Sequence, residues 1–178
     1  MAPIVQNEQF ANLTQAWLVG NDDKAQAMRS CGVPEHFITG HASDWEKFAQ
    51  WAATVPRLVG SPLYTWTHLE LHRHFGVNER LDAGSARRIY EHCGAMLHSP
   101  EYSARNLLRR MQVQVLCSLS NPSQMLDYCW ALAADGFESW VLPVFCSDNV
   151  LAVTDSVAFN NYLNHLGSAA SVHNIYPQ

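Results

Sequence analysis

Only two segments of this 178-residue chain read as β-strands, and a single helical pattern separates them. Gln112 to Leu119 alternates Val113, Val115, Cys117 and Leu119 with other residues and adds Leu116 on the opposite face. That period of two marks a strand. Trp140 to Phe145 is the second, with Pro143 limiting its hydrogen bonding. Between them Asn121-Pro122 caps a helix carrying Met125, Leu126, Cys129 and Leu132, which stops at Gly136. Strand, helix, strand is a βαβ unit, expected to be parallel and right-handed. Two parallel strands cannot close a barrel, which takes about eight in its common form. Left alone they also offer two unpaired edges. Either the preceding helices cover those edges, or another chain or segment does, and the pattern points to part of a larger architecture.

The residues ahead of this unit are helical, with clear punctuation. Asp22 to Cys31 stops at Gly32, with Pro34 just beyond. Ser43 and Glu46 form a capping-box pattern, and Trp45, Phe48, Ala49 and Ala52 then share a face. Ser61-Pro62 starts a helix that Gly76 closes, in which Leu63, Trp66 and Leu69 recur at a spacing of three, with Phe75 near the end. A helix from about Ser85 to Leu97 turns Ala86, Ile89, Tyr90, Cys93 and Leu97 inward. Ser99-Pro100 starts another that ends near Met111, and a last helix runs from about Ser156 to Leu166. The expected fold class is mainly α with a small parallel βαβ unit, divided into a helical region 1–111 and a β/α segment 112–178.

Composition removes several functions. A net charge of −5 with no basic run argues against a nucleic-acid partner. The apolar residues come in short groups, so no membrane span is expected, and no secretory signal is visible at the N-terminus. Five cysteines (Cys31, Cys93, Cys117, Cys129, Cys146) lie scattered without CxxC spacing. That usage fits reduced thiols in a cytoplasmic protein.

Each chemical constellation has a bland reading beside it. His68 and His72 lie four apart on one helix, a spacing that can hold a metal, yet Glu70 projects to a different face. The structural or solvent-facing reading is preferred for the pair. Cys93 and Cys117 sit at apolar periodic positions and read as core. Cys146 follows a strand, where functional residues gather, but has no histidine base within local reach. Trp45, Trp66, Phe75 and Trp140 read as core aromatics, and Arg87-Arg88 and Arg109-Arg110 as solvated faces.

One family accounts for many of these segments together. Trp66-Thr67-His68-Leu69-Glu70-Leu71, Asn12 to Leu18, Ile38-Thr39-Gly40, Ala42-Ser43-Asp44 with Lys47-Phe48, Arg105 to Leu108 with Met111, Val115-Leu116-Cys117 and Val141 to Phe145 occur in the order seen in uronate isomerases. The chain resembles that family over nearly its whole length. The resemblance implies a helical insertion plus the second and third strands of an amidohydrolase-type (β/α)₈ barrel. It also implies reversible aldose–ketose conversion of a hexuronate, such as glucuronate to fructuronate.

Such a reaction moves a proton between adjacent carbons through an enediol. It needs a base near that proton, positive charge for the oxyanion and a cationic clamp for the carboxylate. In the family a His-x-His pair on the first strand helps hold a divalent metal such as zinc. Here that strand is expected ahead of Met1-Ala2-Pro3 and the remaining ligands beyond Gln178, so neither a catalytic residue nor a metal ligand is assigned to this chain. The resemblance carries over Lys24 and Asp148 as surviving substrate-binding positions. Around them the pattern departs. The usual Asp-His-Tyr-Lys-Trp run is Asn21-Asp22-Asp23-Lys24-Ala25, the usual Arg-Pro-Asp is Cys146-Ser147-Asp148, and Thr65 stands where a histidine is usual. The expectation is a uronate isomerase scaffold without its chemistry. A non-catalytic module that self-associates through its strand edges and a thiol or metal enzyme built on His68, His72 or Cys146 remain as alternatives.

Overall fold

In a computed structural model of the protein, residues 2–120, 127–145 and 148–170 are described. The chain divides into two compact units, one from Glu8 to Leu107 and one formed by the residues before Glu8 and from Leu108 onward. The order opens with α1 (Ala2–Val5), α2 (Leu13–Trp17), α3 (Asp22–Ser30) and α4 (Asp44–Thr54). It continues through α5 (Pro62–Phe75), α6 (Ala86–Leu97) and α7 (Ala104–Arg110) to β1 (Val115–Ser120), α8 (Asp127–Ala134) and β2 (Trp140–Phe145). Helices α9 (Asp148–Leu151) and α10 (Ser156–Ala169) follow.

In the Glu8–Leu107 unit the caps anticipated from sequence are present. The Ser43 side chain accepts from the Glu46 amide while Glu46 reaches back to the Ser43 amide, a reciprocal box at the start of α4. Ser61 caps α5, Pro62 takes its first position, and Gly76 closes it at φ 67°, a left-handed conformation that glycine adopts without the Cβ penalty. Helix α4 is the centre of the core. Phe48, Trp51, Ala52 and Val55 are all fully buried at i, i+3, i+4 and i+7. Around them pack Leu13 and Trp17 of α2, Met28 of α3, Leu71 and Phe75 of α5, and Ile89, Cys93 and Leu97 of α6.

Two expectations fail in this unit. The buried row of α5 is Thr67, Leu71 and Phe75, with Leu63 partly buried, while Trp66 is 54% and Leu69 37% exposed. At 3.6 residues per turn a row spaced by three falls behind by about 60° at each step. A row spaced by four gains only about 40°, so Leu63-Thr67-Leu71-Phe75 keeps its face. Second, no single helix runs from Ser99 to Met111. A 3-10 turn at Pro100–Tyr102 precedes α7, with Ser103 extended between them. Buried Tyr102 holds that break: it stacks on Phe75 and its hydroxyl donates to the His74 carbonyl at 2.6 Å.

In the other unit β1 and β2 pair in parallel, in register from Val115 opposite Trp140 to Ser120 opposite Phe145. The strand begins at Val115 rather than Gln112 because residues 112–113 finish α7. Gln112 adopts φ 54°, its amide donates to Arg109, and the Val113 amide donates to Leu108, a Schellman ending. The sheet face carrying Val115, Cys117, Trp140, Leu142 and Val144 is exposed, Trp140 by 71%. The core placement expected for Cys117 and Trp140 is thereby overturned. Period two assigns a residue to a face but not a layer to cover it. Asn121-Pro122, Met125, Leu126 and Cys146 lie outside the described residues.

Candidate functional site

A cleft of about 270 Å³ opens in the Glu8–Leu107 unit. One wall is the turn from Leu18 to Asp22 that joins α2 to α3, and Ala25 and Met28 of α3 extend it. Phe37, Ile38 and Thr39 form the opposite wall, and Lys47 of α4 completes the lining. The turn is built locally. The Leu18 and Val19 amides both donate to the Thr14 carbonyl, Gly20 takes φ 71°, and the Asn21 side chain accepts from the Lys24 amide at 3.0 Å. Behind it, Asp44 fixes α2: its carboxylate accepts from Asn12 at 2.7 Å, and its carbonyl accepts from the Thr14 hydroxyl at 2.5 Å.

The charges are sorted by this geometry. Asp22 and Asp23 are exposed in the first turn of α3, where a helix terminus favours carboxylates. Lys24 is 7% exposed and points the other way. Its ammonium lies 4.7 Å from the Trp17 ring centroid and 5.6 Å from that of Trp51, a cation–π arrangement. Burial lowers its pKa below the usual lysine range, and the Glu70 carboxylate partly opposes that shift. Lys24 is not part of the cleft lining, whereas Lys47 is.

Asp148 is exposed at the start of α9, in the other unit. His68 and His72, for which the structural reading is preferred, each have hydrogen-bond partners of their own. His68 Nδ1 lies 2.8 Å from the Tyr64 carbonyl, and its Nε2 accepts the Leu81 amide at 3.1 Å, so both ring nitrogens serve backbone groups. His72 Nδ1 meets Asn78 Oδ1 at 2.6 Å. Among the described residues no three His, Cys, Asp or Glu side chains converge as a metal site. No metal ligand is assigned among the described residues, and no step is routed through a metal. Lys47 and the Trp17–Trp51 cage escaped the sequence reading. Trp17 and Lys24 fall on different helices, and nothing in their spacing brings Trp51 to them.

Comparison with known proteins agrees with this architecture. The glucuronate isomerase family profile matches residues 1–176. The uronate isomerase of Cellvibrio japonicus is 43% identical over 170 residues, covering 94% of this chain and 36% of that protein. That of Bacteroides fragilis is 42% identical over 170 residues, covering 95% and 36%. The crystal structure of uronate isomerase from Thermotoga maritima superposes with a TM-score of 0.88 at 29% identity, covering 96% of this chain and 37% of that one. Glucuronate isomerase from Caulobacter crescentus has the same fold at 18% identity, with a TM-score of 0.87 and coverage of 96% and 37%. The chain spans little more than a third of the length of these relatives. Its helices and two strands are a portion of a (β/α)₈ barrel with its helical insertion, and the chain belongs to the glucuronate isomerase family.

Proposed function

We propose that these residues form the helical-insertion side of a hexuronate isomerase acting between D-glucuronate and D-fructuronate, and that on their own they do not catalyse the conversion. Residues 1–111 are assigned to the insertion and 112–178 to the barrel segment. Asp148, exposed on α9, is the retained position open to a substrate hydroxyl. The cysteine usage supports a cytoplasmic setting. No helix among the described residues is long and apolar enough to cross a membrane.

One observation carries the inactivity. The turn that replaces the family's His-Tyr pair turns Asp22 and Asp23 outward and Lys24 inward. Two unit charges about 4 Å apart interact by roughly 1 kcal/mol in water and about 4 kcal/mol near a protein surface. A hexuronate carboxylate approaching this wall meets Asp22 with no cation from the same turn beside it, and Lys47 of α4 is the basic group in the lining. An assay of glucuronate–fructuronate conversion with added zinc or manganese tests the reading. Turnover above a metal-only blank would overturn it.

A non-catalytic, self-associating module is the second reading, supported by the exposed apolar face of β1 and β2. Light scattering across a concentration series tests it. Association abolished by Leu142→Lys supports it, and a monomer at every concentration counts against it.

A further inference from the structure

A lysine withdrawn from solvent with no ion pair to an acid among the described residues needs an explanation, since an unpaired buried cation is costly. Lys24 has one, made of aromatic faces. Trp17 approaches it from α2 and Trp51 from α4, at 4.7 and 5.6 Å from their ring centroids. Both indoles are themselves buried, Trp51 completely. Glu70 of α5 is the charged neighbour whose field reaches it, while Asp22 and Asp23 of its own helix face solvent. The ammonium therefore joins three helices at one point. Its backbone amide closes the Asn21 cap at 3.0 Å, so the same residue ties that joint to the turn walling the cleft.

We propose that Lys24 is a positioning residue: its ammonium, clamped between Trp17 and Trp51, locks the Asn21–Asp23 turn against the core and does not itself contact substrate. This rests on the reading of the cleft as the substrate-facing side of the insertion. The clamp fixes where the two carboxylates stand. It also keeps the turn's one cation out of the cleft, leaving Lys47 as the basic group in the lining. The Trp17 and Trp51 faces supply attraction that strengthens as water is excluded. Burial works against the charge and lowers the pKa of Lys24, so the indole faces and the field of Glu70 are what favour the ammonium there.

The chain contains two lysines, Lys24 and Lys47, so ¹³Cε-lysine labelling gives an NMR spectrum with two side-chain resonances. Lys24→Arg assigns them. The expected result is a Lys24 signal displaced upfield by the indole ring currents, titrating below the usual lysine range and unmoved by added glucuronate. In Lys24→Met the amide signals of Asn21, Asp22 and Asp23 should shift, whereas Lys24→Arg, which keeps a cation for the indoles, should restore them. A Lys24 signal without ring-current displacement overturns the proposal, as does one that moves with glucuronate. Equal turn shifts in the Met and Arg variants overturn it too. None of these readouts requires turnover, so failure of the isomerase reading leaves them intact and distinguishable.

Discussion

His68 Nε2 accepts a hydrogen bond from the backbone amide of Leu81 at 3.1 Å, with Leu81 itself 1% exposed. The same ring's Nδ1 donates to the Tyr64 carbonyl at 2.8 Å, which assigns the neutral tautomer with its proton on Nδ1. One imidazole thus pins the loop after α5 to the helix. His68→Ala leaves the Leu81 amide without its acceptor and should destabilise the protein by about 1–3 kcal/mol. Urea titration should show a lower midpoint with an unchanged slope. Zinc should leave the wild-type midpoint where it was; a zinc-dependent rise lost in His68→Ala would restore the metal reading.

Glu35 contributes to the acid sensitivity of the helical unit, alongside Glu46, Glu79 and Asp82, whose pKa values are also lowered. Arg29 holds its carboxylate through two hydrogen bonds, at 2.8 and 2.7 Å, and Thr39 adds a third at 2.5 Å. Hydrogen bonding to Arg29 lowers its pKa from 4.5 to about 2. The folded value lies below the unfolded one, so the contribution is present above pH 4.5 and is lost as pH falls towards 2. Glu35→Gln should make the stability profile shallower across that window, the remaining slope coming from Glu46, Glu79 and Asp82. Because the pair is exposed, the difference should shrink in high salt.

Trp51 and Trp66 should respond oppositely to truncation. Trp51 is fully buried at the centre of α4, and Trp51→Ala should cost about 3–5 kcal/mol. Trp66, at 54% exposure, should change stability by no more than about 0.5 kcal/mol when replaced by alanine. Chemical denaturation of both variants checks the pair. A large loss in Trp66→Ala would return it to the core.

These two tryptophans mark how far the sequence could be read. Local signals were legible: the Ser43–Glu46 box, the Ser61-Pro62 start, the Gly76 stop and the parallel pairing of β1 with β2 all rest on contacts within a few residues or on topology rules. Facing was less legible. In α5 a threonine occupies the buried row, at Thr67, and a tryptophan the exposed one, so hydropathy alone selected the wrong side. The site was legible in part: of the segment from Asn21 to Ala25, Asn21, Asp22 and Ala25 line the cleft, while Asp23 and Lys24 do not. Lys24's inward turn was not, because it depends on Trp51, a residue distant in sequence on another helix. Trp140 and Cys117 were misplaced for a related reason: strand periodicity names a face and says nothing of what lies over it.

The cysteines should separate cleanly by reactivity. Cys93 is fully buried in α6, and burial pushes its thiol up from 9.0 to about 12. At pH 8 its thiolate fraction is then on the order of one in ten thousand, and a disulfide reagent also has no path to it. Cys117 lies exposed on the open sheet face. Mass-spectrometric mapping after a brief native pulse of a thiol reagent should find Cys117 modified and Cys93 untouched, with Cys93 labelled only on addition of denaturant. The pH dependence carries the same sign. The folded pKa lies above the unfolded one, so stability from this group is intact below pH 9 and falls as pH rises from 9 towards 12. Cys93→Ala should remove that alkaline slope. Native labelling of Cys93 at a rate matching Cys117 would show that the α6 face is open to solvent and that the thiol is not held in the core.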